Sequence, residues 1–387
     1  MKIAPEKKIR IQDSDDMRRL SGEIKEWDHQ VFREITCTEL TEAQKKFILE
    51  PPEIYPKDTA VLAIHWHPEI VPLDLVRTRI QRTFPNRKHE LIIPTQHNEI
   101  LSYDGYSGVE VDCYSREFNR KVQLLLHFKQ ERLKKAERLK AMISHTFRYR
   151  STQLFEFLDT LLDNAFEDRL QEAARHTSAD KDLVHFVRLQ AGKLRDLIKE
   201  TELTTPRVML KNKLLRDYFD RLRDLFDDRL IDGAQVFLRS VKQIVKQNFS
   251  SAFFYRTHQI IEEARSHGAG IVVPHPEQFW PILLADYDID GYEVWNPQSL
   301  AYTEFLISVV HRLNQRREHQ SRPILVTMGD DCHLGEKLKP PERRDPVKAG
   351  REIGLQPAWN HLTVRKNLIL FNIDKERLIV EYKQRLN

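Results

Sequence analysis

Apolar side chains recur at steps of three and four positions in the middle of the chain. They form three stripes, within residues 154–170, 214–226 and 237–245, as on amphipathic helices. The stripe residues are Leu154, Leu158, Leu161, Leu162, Ala165, Phe166, Leu170, Leu214, Leu215, Tyr218, Phe219, Leu222, Leu225, Phe226, Phe237, Leu238, Val241, Ile244 and Val245. The glycines and prolines between residues 116 and 267 are only Gly192, Pro206 and Gly233. The pattern predicts long helices packed into a bundle, with a coiled-coil dimer arm as the alternative.

Shorter apolar runs lie on both sides of this helical region. The runs are TAVLAIHWH (59–67), HELIIPTQH (89–97), GVEVDCY (108–114), KVQLLLHF (121–128), AGIVVPHP (269–276), GYEVWNP (291–297) and PILVTMGDDCH (323–333). Several are apolar throughout, as expected of strands that are buried on both faces. Helical patterns separate several of them, as in 73–84 and 257–267, and this alternation favours a β/α barrel or a parallel sheet. The last apolar runs, within 367–384, predict a C-terminal hairpin with its turn near Asp374 and Lys375.

The composition narrows the classes of protein that the chain can represent. Its 387 residues are 40% hydrophobic and 31% charged, which suits the cores of roughly two or three domains. Lys and Arg total 62 against 58 Asp and Glu, so the net charge of +4 gives no overall argument for nucleic acid or membrane. Mean hydropathy is −0.56, and no apolar run approaches the roughly 20 residues of a membrane span. Three widely spaced cysteines (Cys37, Cys113, Cys332) suggest no disulfide framework, and the first residues lack a secretory signal. We expect a cytoplasmic protein.

Side chains of the kinds that bind metals stand at the ends of nearly all the predicted strands. They are His65, His67, His97, Glu110, His127, His275, Asp331 and His333. In a β/α barrel the carboxyl ends of the strands open into one mouth, so residues far apart in sequence would converge there. The i, i+2 spacing within 65–67 and within 331–333 puts both members of each pair on one side of an extended strand. Imidazole and carboxylate together suit zinc, manganese or iron.

These residues lie in seven short motifs that resemble those of the PHP (polymerase and histidinol phosphatase) family of metal-dependent phosphoesterases. The motifs, which follow the order of the family, are HWH, PTQH, SGVEVDC, LLLHF, VVPHPEQ, YEVWN and GDDCH. The first is similar to the His-x-His motif of the family, the second to its Thr-Asp-His motif and the last to its Asp-x-His motif. The resemblance covers about residues 59–128 and 268–335.

The resemblance implies a distorted seven-stranded β/α barrel of PHP type, similar to a TIM barrel, with two or three divalent metal ions in its mouth. The implied ligands are His65, His67, Glu110 and Asp331 for one ion, Glu110, His127 and His275 for a second, and His97 and His333 for a third. The third ion would take one more ligand, for which Asp74 is the candidate and Glu69 the alternative. The metals implied are manganese, zinc or iron.

The chain departs from the family pattern in two motifs and in one spacer. Pro68 stands where the family usually has threonine or serine, Gln96 stands where it often has aspartate, and the usual Ser-Asp-Gly is absent. The spacer between His127 and His275 is 147 residues, far longer than usual, so the helical region is expected to be an insertion. The expected organisation is an N-terminal helical extension (1–58), a PHP-like barrel (59–128 and 268–387) and an inserted helical bundle (129–267).

The chemistry that such a site supports is hydrolysis of phosphate esters by a metal-activated water molecule. By the resemblance, the catalytic residues would be His65, His67, Glu110, Asp331 and His333. Glu293 and Asn296 are candidates for contacts with the metal ligands or with substrate. Lys337, Arg343 and Arg344 are candidates for contacts with substrate. Trp66, Cys113 and Cys332 stand beside ligands and are interpreted as packing or supporting residues, with neither cysteine a nucleophile.

Two other functions remain open on the sequence. Residues 116–150 contain 11 Lys or Arg against 3 Asp or Glu, with Phe147 and Tyr149 interleaved. Basic stretches with aromatic residues are typical of nucleic-acid contacts, so a PHP-type nuclease acting on DNA or RNA is the first alternative. A solvated helix face explains the same charges without a ligand. The second alternative is a non-catalytic module whose helical insertion binds protein partners; the insertion could also form a homo-oligomer.

Overall fold

The computed structural model describes residue 16 and residues 19–316 and 322–387. Fifteen α-helices and ten strands lie within residues 19–316 and 322–387, so the fold is mixed α/β and mostly helical. The helices are α1 (Glu26–Thr36), α2 (Glu42–Leu49), α3 (Leu73–Thr83), α4 (Glu137–Phe147), α5 (Tyr149–Leu162), α6 (Glu167–Thr177), α7 (Lys181–Glu200), α8 (Asn212–Arg221), α9 (Asp228–Asn248), α10 (Thr257–Ser266), α11 (Thr303–Arg316), α12 (Leu334–Lys337), α13 (Pro346–Ala349), α14 (Leu362–Leu370) and α15 (Lys375–Leu386). The strands are β1 (Ala60–Ala63), β2 (Trp66–His67), β3 (His89–Ile92), β4 (Leu101–Tyr103), β5 (Tyr106–Ser115), β6 (Arg120–Lys129), β7 (Gly270–Val273), β8 (Gly291–Trp295), β9 (Leu325–Met328) and β10 (Cys332–His333).

The chain folds into two compact units. Of the described residues, those within Met1–Thr38 and Arg148–Ser250 form the helical unit, and those within Glu39–Phe147 and Ser251–Asn387 form the α/β unit. In the helical unit the apolar stripes of α5, α8 and α9 meet in one core, which also receives Val31 and Phe32 of α1. The side chains of Asp180 and Asp227 cap the N-termini of α7 and α9, where backbone amides have no partner inside the helix.

The strands of the α/β unit form three sheets. Strands β4 to β9 make one sheet in chain order, antiparallel from β4 to β7 and parallel from β7 to β9. Strand β1 pairs with β3, and β2 pairs with β10, both in parallel. Among the residues that the structure describes, these sheets do not close into a barrel, so the distorted seven-stranded β/α barrel that the resemblance implies is not observed.

Local sequence explains why the strands depart from a regular barrel. Strands β5 and β6 are ten residues each and pair directly from Tyr106↔Lys129 to Ser115↔Arg120, because the four-residue turn between them, with Asn119 left-handed at φ 50°, returns the chain at once. A β/α barrel would instead need parallel neighbours joined by a helix. Pro68 follows β2 and Pro94 lies soon after β3, and neither has an amide hydrogen to extend its ladder.

A few backbone hydrogen bonds outside the regular strand pairs connect the sheets near the residues of metal-ligand type. His97 forms an isolated parallel bridge with Glu110, in which the Glu110 amide donates to Gln96 O at 3.1 Å and the Asn98 amide donates to Glu110 O at 2.7 Å. The Asp331 amide donates to His65 O at 2.9 Å. The backbone therefore brings the carboxyl ends of β1, β3 and β9 and the middle of β5 to one region.

The predicted C-terminal hairpin is wrong, because these residues form helices α14 and α15. Leu378, Ile379, Tyr382 and Leu386 of α15 are buried, and their spacing is that of one helical face. Asp374, which was expected near a turn, instead accepts a hydrogen bond from the Arg377 amide and caps the helix. Short apolar runs are compatible with a buried helix or a strand, and here tertiary packing selects the helix.

Cys37, Cys113 and Cys332 form no disulfide. In the described part of the chain, every helix is too short or too polar to span a bilayer.

Candidate metal centre

Seven of the nine predicted metal ligands converge in the α/β unit. They form three groups in which the potential ligand atoms lie within 4.8 Å of one another. The groups are His67, His97 and His333; His65, Glu110 and His275; and His65, His67 and Asp331. We refer to these seven residues as the histidine–carboxylate cluster.

Pairing of β2 with β10 positions the two i, i+2 motifs. His333 lies opposite His67 and Cys332 lies opposite Trp66. Because side chains alternate along a strand, the two histidines point to one side, and their rings stack with centroids 4.2 Å apart. Trp66 and Cys332 point away and are fully buried in the apolar core, which agrees with their interpretation as packing residues.

Glu110 is the central carboxylate of the cluster. It lies on β5 and is buried, and its oxygens approach four imidazoles. The distances to Glu110 oxygens are 2.5 Å from His97 Nδ1, 3.4 Å from His67 Nε2, 3.6 Å from His275 Nε2 and 4.0 Å from His65 Nε2. One carboxylate thus connects four imidazoles that come from three separate parts of the chain.

The two carboxylate oxygens of Asp331 have different partners. Its Oδ1 lies 3.3 Å from His333 Nε2, 3.7 Å from His65 Nε2 and 3.8 Å from His67 Nε2. Its Oδ2 accepts a hydrogen bond of 2.6 Å from Nη1 of Arg351. The arginine therefore turns the other oxygen toward the imidazoles.

Buried polar atoms of the cluster lack hydrogen-bond partners. They are His65 Nε2, His67 Nδ1, His67 Nε2, Glu110 Oε1, Glu110 Oε2 and His275 Nδ1. Glu110 Oε2 is among them because its close approach to His97 does not have hydrogen-bond geometry. Native proteins pair nearly all such groups, because each unpaired one costs about 1–3 kcal/mol. Nitrogen lone pairs and carboxylate oxygens aimed at a common point are the donor set that a divalent transition metal takes, so the residues fit a metal.

The backbone is strained at three residues of the site. Glu69, His275 and Asp331 have φ values of 53°, 31° and 44°, in the left-handed region that residues other than glycine seldom adopt. Such conformations cost about 1–3 kcal/mol each, and they concentrate at functional sites. The fold therefore maintains an unfavourable conformation in order to aim these side chains.

Glu293 supports the ring of His65 from the side away from the cluster. Its Oε2 lies 2.6 Å from His65 Nδ1, which leaves Nε2 to face Glu110 and Asp331. Its Oε1 accepts hydrogen bonds from the His275 amide at 3.2 Å and from Asn296 Nδ2 at 3.3 Å. Of the two residues predicted together here, Glu293 contacts His65 and His275, and Asn296 contacts Glu293.

Glu69 takes the corresponding position behind His333. Its Oε1 lies 3.0 Å from His333 Nδ1, and its amide donates to the side chain of Gln96 at 3.3 Å. Asp74, the first candidate for a further ligand of a third ion, is exposed on α3, and neither it nor Glu69 belongs to any of the three groups. Of these two candidates, Glu69 is the one that contacts a cluster residue.

His127 does not join the cluster. Its Nε2 donates to Ile64 O at 2.9 Å, since a carbonyl can only accept, and its Nδ1 then accepts from the Tyr382 hydroxyl at 2.7 Å. Burial lowers the pKa of His127 to about 3, so the ring is neutral and both nitrogens are satisfied by protein groups. The fourth-strand histidine thus has a structural position here.

Two of the basic residues predicted to contact substrate have other partners. Lys337 is buried, with Nζ 2.7 Å from Ala349 O and 3.5 Å from Glu352. Arg344 donates to Lys339 O and lies over the ring of Phe47. Arg343 ends the short 3₁₀ helix Pro341–Arg343.

The arginine at the cluster is Arg351, which was not predicted. It follows Asp331 by 20 residues and belongs to no motif, so its position depends on tertiary packing. The next residue, Glu352, pairs with both Nε and Nη2 of the buried Arg79 at 2.6 and 2.5 Å, which fixes the loop. Only the three-dimensional structure connects these residues.

The charges of the cluster suit cation binding. Burial alone would raise the pKa of Glu110, but His97 and His275 outweigh it and hold that pKa well below its usual range. The pKa of Asp331 is lowered in the same way, against burial, by His333 and His65. Burial, together with His333 and His97, lowers the pKa of His67 well below its usual value. The carboxylates are therefore ionised and His67 neutral at neutral pH, as metal binding requires.

Two other histidines of the cluster keep a proton at neutral pH. Burial would lower the pKa of His65, but Glu293 and Asp331 raise it to about 10. Burial would also lower the pKa of His333, which Asp331 and Glu69 raise to about 9. A cation bound by these rings must displace those protons.

The cluster is open on one side. The side chains of His97 and His333 are 31% and 28% exposed, whereas those of His65, His67 and Glu110 are 1% exposed. A reacting molecule would therefore approach from the side of His97 and His333.

Comparisons with known proteins show only weak structural similarity. Neither protein families nor curated proteins match this sequence. A solved structure from Bifidobacterium adolescentis, itself assigned only provisionally as a metal-dependent phosphoesterase, is similar over 82% of this chain and 96% of its own, with 15% identity and a TM-score of 0.36. Since both values are low, the functional argument depends on the residues of the cluster.

Proposed function

We propose that the protein is a metal-dependent phosphoesterase of PHP type that hydrolyses phosphate esters. The observation that carries the proposal is the convergence of five histidines and two carboxylates, from residues 65 to 333, with buried nitrogens and oxygens that lack partners. The order of the seven sequence motifs supports the PHP assignment. Buried histidines with a purely structural role would instead have their ring nitrogens paired with protein groups, as His127 has.

The grouping of the ligands favours two ions. The group of His67, His97 and His333 shares no residue with that of His65, Glu110 and His275, whereas the third group reuses His65 and His67. Asp331 Oδ1 lies within 4 Å of rings in both groups and is the residue placed to serve either ion. Three protein ligands per ion leave a position for water, as in catalytic sites.

In the proposed mechanism, the protein side chains orient the ligands and hold their protons at defined nitrogen atoms. Divalent ions in such a site lower the pKa of water and neutralise charge on a phosphoryl group. Glu293 keeps its hydrogen bond at His65 Nδ1, so that Nε2 is the nitrogen that faces the cluster. Glu69 does the same for His333, and Arg351 fixes Asp331. Burial of Glu110 and His67 excludes bulk water from the closed side.

Elemental analysis combined with a hydrolysis assay tests the proposal. We expect protein from manganese- or zinc-supplemented medium to hold about two ions per chain. It should hydrolyse p-nitrophenyl phosphate, and EDTA should abolish the reaction. Asp331→Asn should lower both metal content and hydrolysis while helical content is retained. Asp104→Asn, which changes an exposed aspartate in the same unit, is the matched control. Protein that holds no metal after supplementation, or full activity of Asp331→Asn, would refute the proposal.

A further inference from the structure

A groove of about 700 Å³ lies between helix α11 and the short 3₁₀ segment Pro276–Leu284, both in the α/β unit. Its described lining consists of eight apolar or aromatic side chains and two arginines, with no acidic residue and no member of the histidine–carboxylate cluster. The groove is therefore a second feature of this unit, separate from the candidate metal centre.

Large apolar side chains of this groove are exposed to solvent. The exposed fraction is 38% for Trp280, 46% for Tyr302, 55% for Phe305 and 85% for Leu284. The ring of Trp280 packs edge-on against those of Tyr302 and Phe305, with centroids 5.2 and 5.7 Å apart, so the three rings form one continuous surface. Contiguous exposed apolar surface of this kind marks a place where another molecule binds.

The composition of the groove is that of a protein–protein interface. Aromatic residues and arginine are enriched in such interfaces, whereas lysine, aspartate and glutamate are depleted, and Trp, Tyr and Arg most often carry the binding energy. The two arginines, Arg312 and Arg316, have no ion pair with any residue that the structure describes. Because Leu284 and Phe305 protrude from the surface, the groove suits a protein surface better than an enclosed small molecule.

The residues that α11 and the turn before it present to the groove are divided into an aromatic half and a cationic half. Positions 302, 305, 309, 312 and 316 follow one another at steps of three and four, so they share one helical face. Tyr302 and Phe305 precede Val309, and Arg312 and Arg316 follow it. An antiparallel copy of the same helix would bring the rings of each half against the guanidinium groups of the other, where cation–π attraction is favourable. This face is thus complementary to itself.

We propose that this face is the interface of a homodimer, in which α11 of one copy packs antiparallel against α11 of a second copy about a twofold axis near Val309. A twofold interface uses the same surface on both subunits and therefore requires a surface that complements itself. Phe305 of each copy then meets Arg312 of the other, and this contact occurs twice. The interface lies in the α/β unit, so it differs from an oligomer formed through the helical insertion, and it does not depend on the proposed function.

Light scattering of the full-length protein after size-exclusion chromatography, over a range of concentrations, tests the proposal. We expect the wild type to reach about twice the chain mass of 45.9 kDa. Phe305→Arg places two arginines opposite each other, and Arg312→Glu places a carboxylate against the negative face of a ring. Because each substitution acts twice in a symmetric dimer, each should raise the dissociation constant by at least about a hundredfold. Both positions are exposed, so circular dichroism should show unchanged helical content.

A mixture of the two variants tests the antiparallel arrangement. In a mixed dimer the arginine introduced at position 305 faces the glutamate introduced at position 312, and the second contact is the native one between Phe305 and Arg312. The two variants, each monomeric alone, should therefore form a dimer when mixed. This recovery requires that position 305 of one copy meets position 312 of the other.

The matched control is Val236→Arg, which places the same charge at an exposed apolar position of α9 in the helical unit and should leave the dimer intact. Wild-type protein that stays monomeric at every concentration would show that another molecule occupies the groove, and the proposal would be wrong. It would be equally wrong if Val236→Arg dissociated the dimer while Phe305→Arg did not. A mixture of Phe305→Arg and Arg312→Glu that stays monomeric would overturn the antiparallel contact.

Discussion

Oε2 of Glu293 lies 2.6 Å from Nδ1 of His65, and both side chains are almost completely buried. The two residues are 228 positions apart, and their contact decides which nitrogen of His65 faces the cluster. Carboxylates that bond to ligating histidines fix the ring and raise its basicity. Glu293 is therefore a positioning residue for the proposed metal site.

Replacement of Glu293 by glutamine should weaken metal binding. Glu293→Gln keeps the shape of the side chain but removes the charge, and changes of this kind typically lower metal affinity by about 10- to 100-fold. Competition with a fluorescent chelator measures the affinity. Glu342→Gln, at an exposed glutamate of the same unit, should leave it unchanged. Equal affinities of Glu293→Gln and wild type would show that His65 needs no such support.

Gly329 should be essential to the same contact. A Cβ atom at this position would lie 1.9 Å from Glu293 Oε2 and 3.0 Å from His65 Nδ1, so the methyl group of Gly329→Ala must displace the carboxylate. We expect a loss of metal affinity similar to that of Glu293→Gln, and less than additive loss in the double variant because both act on one contact. Gly192→Ala is the control, since its Cβ would approach other atoms no closer than 3.9 Å. Fully additive losses would place the two effects at separate contacts.

Some features of the site can be predicted from sequence because they depend on residue type and local geometry. The histidines of β2 and β10 share a side because strand side chains alternate, and the strand ends carry them to one region. Arg351 could not be predicted, since it reaches Asp331 only through a loop that Arg79 and Glu352 fix. The same limit applies to α15, whose apolar run is compatible with strand or helix until packing decides.

His127 gives a prediction that separates a structural histidine from a ligand. Tyr382→Phe removes the hydroxyl group that donates to His127 Nδ1, so the free energy of unfolding should fall by about 1–3 kcal/mol. Metal content should be unchanged in Tyr382→Phe and in His127→Gln, because both ring nitrogens already have protein partners. Chemical denaturation and elemental analysis measure the two quantities. The loss of one ion per chain in His127→Gln would instead make this residue a ligand.

Stabilisation by metal should increase with pH between about 6.5 and 9. The pKa values of His65 and His333 in the folded protein, about 10 and about 9, lie above the value of about 6.5 expected for unfolded histidine. Their protonation therefore stabilises the metal-free fold fully below pH 6.5, and this contribution is lost as pH rises through 9 and 10. Metal binding removes the same protons, so the difference in Tm between manganese-loaded and EDTA-treated protein should grow as pH rises. Glu69→Gln, which removes one of the carboxylates that raise the pKa of His333, should flatten this dependence. A difference that is constant, or largest in acid, would mean that these two histidines do not give up protons to the metal.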